Sequence, residues 1–208
     1  LNDYDRVHPS RSLFLLVIGG NSSPKQFTCP SSGDAEDPLR NKTSSTETAA
    51  QPGVNRFDFR GYPNLSYGYQ LPFGTRGKPR QGMDPRMPMG ADKGPYFEAG
   101  VSDAASGRVQ DAESATNDPA FDVSTGSDIL KLPNDRWRSY NSRNHNGEGQ
   151  NVVFADSHVE FLYKPIVGVN SDNIYTMATG YQFENSLLGQ SPQDLKGPWT
   201  NTDSIIVP

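Results

Sequence analysis

The stretch that decides the fold is "GQNVVFADSHVEFLYKP" at residues 149–165. Val152 and Phe154 alternate with Val153 and Ala155, and Val159 and Phe161 alternate with His158 and Glu160. Between the two runs stands Asp156-Ser157. An Asp and a small residue between two alternating segments is a hairpin signal, weaker than Asp-Gly but of the same kind. A two-residue turn there predicts that Ala155 pairs with His158, Phe154 with Val159, Val153 with Glu160 and Val152 with Phe161. Val152, Phe154, Val159 and Phe161 would then share the core face, and Val153, Ala155, His158 and Glu160 the wetter one.

Upstream, "RFDFR" at 56–60 and "LSYGY" at 65–69 alternate in the same way and predict two short strands around Gly61-Tyr62-Pro63. "RMPMGAD" at 86–92 reads as a further strand, which Pro88 would push to a sheet edge. Leu13, Leu16 and Val17 lie at i, i+3, i+4, the stripe of a short helix over 10–19. Ser10 is its expected N-cap and Gly19-Gly20 its stop. The expected class is therefore α+β: one short helix, a small antiparallel sheet and long irregular loops.

Composition agrees. Of 208 residues, 33% are hydrophobic, with 20 Gly and 17 Pro. Typical domains carry roughly 45–50% apolar residues on a count that includes Gly, so the core is modest and much backbone is irregular. Aromatics, at 10%, argue for a packed core nonetheless. A single domain over 1–208 is expected. Residues 21–55 form a surface excursion anchored by Phe27 and Cys29, and the small polar residues of 99–128 form a flexible insertion.

Several function classes fall away. Net charge is −5 with dispersed basic residues, which excludes a nucleic-acid footprint. The longest apolar run, Leu13 to Ile18, is far short of the ~20 residues of a membrane helix, so no direct span is expected. Neither P-loop nor dinucleotide fingerprint is present. Cys29 has no second cysteine to pair with and reads as a small apolar residue at the core edge.

The segment "NHNGEGQNVVFADSHVEF" at 144–161 resembles the C-terminal H-X9-DG signature of bacterial pseudopilin-like proteins associated with prepilin processing. "LFLLVIGGNSSPKQFTCPSS" at 13–32 is similar to that family's helix and Phe-x-Cys-Pro segment, and "LSYGYQ" at 65–70 and "MPMGADKGP" at 87–95 to its central strands. The signature residues here are His145, Asp156 and Ser157. Ten residues rather than nine separate His145 from Asp156, and Ser157 stands where the family has Gly, a less comfortable residue at positive φ.

The resemblance implies a type II secretion pseudopilin-like head, extracytoplasmic, whose membrane and assembly helix would lie ahead of Leu1 in an anchored precursor. It implies a non-enzymatic structural subunit that assembles with itself or with other envelope or secretion subunits. The alternative is a soluble extracytoplasmic module binding calcium or a glycan through the loops at 99–128 and 141–150.

Candidate chemistry is sparse. His145, Asp156, His158 and Glu160 are residue types that bind metals, but no HxH or HExxH spacing accompanies them. The plainer reading has Asp156 bonding its own turn backbone and His158 and Glu160 on a solvated strand face. The resemblance brings in calcium, which related pseudopilins bind near the C-terminus. In "NSDN" at 170–173 the candidate ligands are Asp172 and Asn173. No resident cofactor is expected otherwise. Asp92, His145 and Ser157 make an Asp–His–Ser set by residue type alone, without a G-x-S-x-G elbow. Tyr62, Tyr67, Tyr69, Tyr96 and Phe97 form a candidate interface, with core packing as the competing use.

Overall fold

A computed structural model describes residues 9–40, 58–72, 74, 76, 78–95, 97, 129–176, 198 and 200–208. The expectations for 99–128 and for Tyr96 fall outside them. Five strands form one antiparallel sheet: β1 (Tyr67–Gln70), β2 (Pro88–Asp92), β3 (Gln150–Phe154), β4 (Val159–Leu162) and β5 (Ile206–Val207), in the spatial order β4-β3-β2-β1-β5. One helix, α1 (Ser10–Ile18), precedes them. This is a small α+β fold. Among the described residues no helix is long and apolar enough to cross a membrane.

The hairpin forms, but its register differs by one residue from the expected one. Val153 pairs with Val159, Val152 with Glu160 and Asn151 with Phe161. The loop is therefore three residues, Ala155 to Ser157. Ser157 N–H donates to Phe154 O at 2.9 Å, and Phe154 N–H to His158 O at 3.0 Å. Ser157 takes the left-handed conformation at φ 73°, which closes a three-residue hairpin. Shifting the register by one residue moves β4's side chains to the other face. Val159 is accordingly 65% exposed rather than in the core, while Leu162 packs against the core with Val152 and Phe154.

Three further expectations change. "RMPMGAD" is central in the sheet rather than at its edge, because the ladder shifts between Pro88 and Gly90 and the N–H that Pro88 lacks falls at that irregularity. Of "RFDFR", the described residues 58–60 are irregular: Asp58 accepts from Ser10 Oγ and from Phe59 N–H, and Phe59 is buried as a plug. Ser10 does not cap α1; Pro9 occupies that place and Ser10 is buried, donating to Asp58. The buried residues of α1 are Ser10, Phe14 and Val17, leaving Leu16 exposed. Phe14 and Phe27 both meet Phe59 edge to face, in a cluster completed by Leu65.

The larger core lies on the sheet, where Val152, Phe154, Ile174, Tyr175, Ile205 and Ile206 are packed together. A third cluster pairs Trp137 with Tyr140. Through these runs a polar spine. Lys93, only 1% exposed, places Nζ 2.8 Å from both carboxylate oxygens of Asp34 and from Tyr62 O. Ser66 Oγ donates to the same carboxylate, and Lys93 N–H donates to Ser66 O.

Removing one partner of a buried pair leaves the other charge uncompensated, a loss of about 3–5 kcal/mol. Lys93→Met is expected to lower stability by that order in urea unfolding; a loss below about 1 kcal/mol would mean that Asp34 finds other partners. Left-handed backbone costs a non-glycine residue roughly 1–2 kcal/mol, partly offset by the greater freedom of glycine when unfolded. Ser157→Gly should therefore raise stability by about 0.5–1 kcal/mol in the same assay.

Candidate functional site

The sheet register lines up one row of side chains across four strands. Tyr67 pairs with Asp92, Ala91 with Val152, so that Asp92 falls beside Asn151, and Asn151 pairs with Phe161. Because alternate residues share a face, these four look out on the same side. Two segments from elsewhere in the chain lie over them.

The first brings Cys29. Ser23 and Gln26 make a reciprocal capping box around the 3-10 turn Pro24–Phe27. A second tight turn follows, in which Ser32 donates through N–H and Oγ to Cys29 O. Cys29 is 5% exposed. The second brings His145, which ends the 3-10 turn Arg143–His145, begun by Ser142 Oγ accepting from Asn144 N–H. Asn146 and Gly147 then reverse the chain at φ 56° and 75°. A Cβ at Gly147 would stand 2.7 Å from Arg138 O, so the loop closes only with glycine there.

His145 Nε2 faces three groups: Asp92 Oδ2 at 3.1 Å, Asn151 Nδ2 at 3.1 Å and Cys29 Sγ at 3.9 Å. Its ring meets Phe161 edge to face. Asp92, 1% exposed, is held from both sides. Its Oδ1 accepts from Asn144 Nδ2 at 2.8 Å, and its Oδ2 accepts from Asn151 N–H at 2.6 Å and from Asn151 Nδ2 at 3.1 Å. Tyr67 hydrogen-bonds Cys29. Burial first, then the charges of Cys29 and Asp92 and that hydrogen bond, push the phenol up to about 12. One potential ligand atom each from Cys29, Asp92 and His145 lies within 4.8 Å of the others.

The other sequence candidates lie apart from this cluster. Asp156 accepts from His158 N–H at 3.1 Å and from His158 Nδ1, an exposed turn contact. The first of these, then the second, hold its carboxyl below the ordinary value. The His158 ring stacks on Phe154 at 4.3 Å. Ser157 belongs to that turn, so of the Asp–His–Ser set only Asp92 and His145 meet. Asp172 Oδ2 accepts from Ser204 N–H at 2.6 Å, and Asn173 Oδ1 from Tyr175 N–H. Both side chains point into the fold. Of the aromatic interface candidates, Phe97 is 3% exposed and meets Tyr62 edge to face, while Tyr67 and Tyr69 are half-buried. Tyr69 donates through its hydroxyl to Pro9 O, tying α1 to β1. Among the described candidates only Phe97 is fully buried; Tyr62, Tyr67 and Tyr69 each make an internal contact and keep part of the ring exposed.

Sequence reading set Asp92 beside His145 by residue type alone and did not join Cys29 to them. No spacing rule joins positions this far apart; the available signal was that the family-like Phe-x-Cys-Pro segment, the central strand and the His loop each carry one potential ligand.

Compared with family models, curated proteins and solved structures, the chain matches none.

Asp172 generates a pH prediction. Burial, then repulsion from Asp203, raises its carboxyl well above the ordinary 3.8, against the pull of Ser204. A carboxyl raised on folding contributes stability that is present below its unfolded value and lost as pH rises through its folded one. Asn at this position still accepts from Ser204 N–H but does not ionise. The stability of Asp172→Asn relative to the unsubstituted protein should therefore climb as pH rises above about 3.8. Urea unfolding of both across that range checks this; parallel curves would mean Asp172 titrates normally.

Proposed function

We propose that this chain is a non-enzymatic, pseudopilin-like assembly subunit of the bacterial cell envelope, working outside the cytoplasm by packing against further copies of itself or neighbouring subunits. The observation that carries the reading is the outer side of α1. Leu15 is 60% exposed, Leu16 44% and Ile18 47%, three large apolar groups on one nine-residue helix whose other side already fills the Phe14–Phe59 cluster. Single exposed apolar residues are ordinary, but a contiguous group marks a surface that gains by being covered.

Two further features support assembly. The β4 edge of the sheet presents Val159 and, just beyond the strand, Tyr163, at 65% and 53% exposure. An edge strand with unpaired backbone groups is a template for pairing with another chain. The family resemblance of 13–32, 65–70, 87–95 and 144–161 points to the same class of protein.

Light scattering and electron microscopy test the reading. The protein should form multimers or filaments at high concentration, and Leu15→Lys combined with Leu16→Lys should leave it monomeric. Exposed substitutions typically change stability by no more than about 0.5 kcal/mol, so the variant's unfolding midpoint should barely move. A protein that stays monomeric throughout, and cross-links to no envelope neighbour, would sink the assembly reading.

A further inference from the structure

We propose that Cys29, Asp92 and His145 together bind one divalent transition-metal ion, zinc being the cation whose preferences fit best. The inference is independent of assembly. Thiolate, imidazole and carboxylate are the three side-chain donors that zinc takes, and a mixed set of this kind suits a borderline-soft ion better than calcium or magnesium, which select oxygen alone.

The spacing agrees. With bonds of about 2.3 Å to sulfur and about 2.0 Å to nitrogen or oxygen, a tetrahedral zinc sets its donors roughly 3.3–3.6 Å apart. Here the Sγ to Nε2 separation is 3.9 Å and the Nε2 to Oδ2 separation 3.1 Å, and all three donors lie within 4.8 Å of one another, so closing on an ion draws Cys29 and Asp92 together. Nε2, the nitrogen that faces the cluster, is the atom that would coordinate. Water takes the fourth position, because the cluster offers three protein donors.

The surroundings are those of a positioned ligand set rather than a chance encounter. Metal-binding groups are normally oriented by outer hydrogen bonds. The Asn144 amide fixes Asp92 Oδ1, the Asn151 backbone N–H fixes Oδ2, Tyr67 contacts Cys29, and the Phe161 edge limits rotation of the imidazole. An entry path exists on one side: the His145 side chain is 22% exposed, while Cys29 and Asp92 are buried.

Without metal, His145 Nε2 lies 3.1 Å from Asp92 Oδ2, with Cys29 Sγ 3.9 Å away. Binding places the cation among these atoms: the Cys29 S–H gives its proton to solvent, the imidazole keeps its one proton on Nδ1, and metal–sulfur and metal–nitrogen bonds form. The ion would then clip together three segments remote in sequence. That is the role a disulfide plays elsewhere and that a lone cysteine cannot fill.

The test uses the intact protein, stripped with a chelator and titrated with zinc chloride, then with cobalt chloride as a spectroscopic probe. Stoichiometric zinc uptake with proton release, a raised unfolding temperature, and a thiolate-to-cobalt charge-transfer band with tetrahedral ligand-field absorption are expected. Outer-sphere contacts alone are worth about 10–100-fold in metal affinity, so Cys29→Ser and His145→Gln should each weaken binding by more than about 100-fold. His158→Gln, which removes the exposed imidazole at the hairpin turn, should bind normally. If the ligand variants fail to fold, the cobalt spectrum of the unsubstituted protein decides, because only the single cysteine can produce the sulfur band. Absence of that band, absence of stoichiometric zinc uptake, or loss of binding in His158→Gln would overturn the proposal.

Discussion

The fold turns on two consecutive residues, Asp92 at the end of β2 and Lys93 just after it. Asp92 reaches the Asn144, His145 and Asn151 group, while Lys93 reaches Asp34 and the Tyr62 carbonyl. One dipeptide holds two loops that share no regular structure with it. In a chain with few aliphatic residues, this substitutes directed polar contacts for packing area. Such contacts offset burial only when every partner is in place. Asp92 meets that condition with four close nitrogens around its carboxylate, and Lys93 meets it with three oxygens around its ammonium.

Two buried aspartates show the contrast that this condition creates. Asp92 is surrounded by amide and imidazole donors. Asp172, also buried, has a backbone donor at Ser204, but burial first, and then the facing carboxylate of Asp203, push its proton affinity up. Burial thus carries opposite consequences: the first carboxylate organises a site, while the second is a point of tension near β5. The loop before it adds to that tension, with Asn170 and Ser171 in successive left-handed conformations at φ 61° and 62°.

Strand and helix positions were largely legible, because alternation and the i, i+3, i+4 stripe are local signals. Tyr67–Gln70, Pro88–Asp92, the hairpin and α1 all formed where the pattern put them. What was not legible depended on partners distant in sequence. The hairpin register hinged on whether Ser157 would enter the left-handed region, which turn chemistry discourages for any residue but glycine and a few others. Pro88 reads as an edge signal unless the ladder breaks at that point. Phe59 looked like a strand residue until Phe14 and Phe27 claimed it. At the site, His145 was conspicuous on its glycine-rich loop, but Cys29 looked like ordinary core and Asp92 like a strand end. Nothing local announces that two loops carry Cys29 and His145 over the strand row that holds Asp92.

The sheet is completed by residues that follow its other four strands in sequence. Ile205 N–H donates to Gln70 Oε1 across a sequence separation of 135, Leu71 N–H donates to Ile205 O, and Ile206 N–H donates to Ile174 O. During synthesis, then, β1 waits with an open flank until the β5 residues leave the ribosome. Long-range pairings of this kind are slow, and an unpaired edge is adhesive while it waits. Until β5 pairs, β1 therefore offers an adhesive flank to any neighbouring chain.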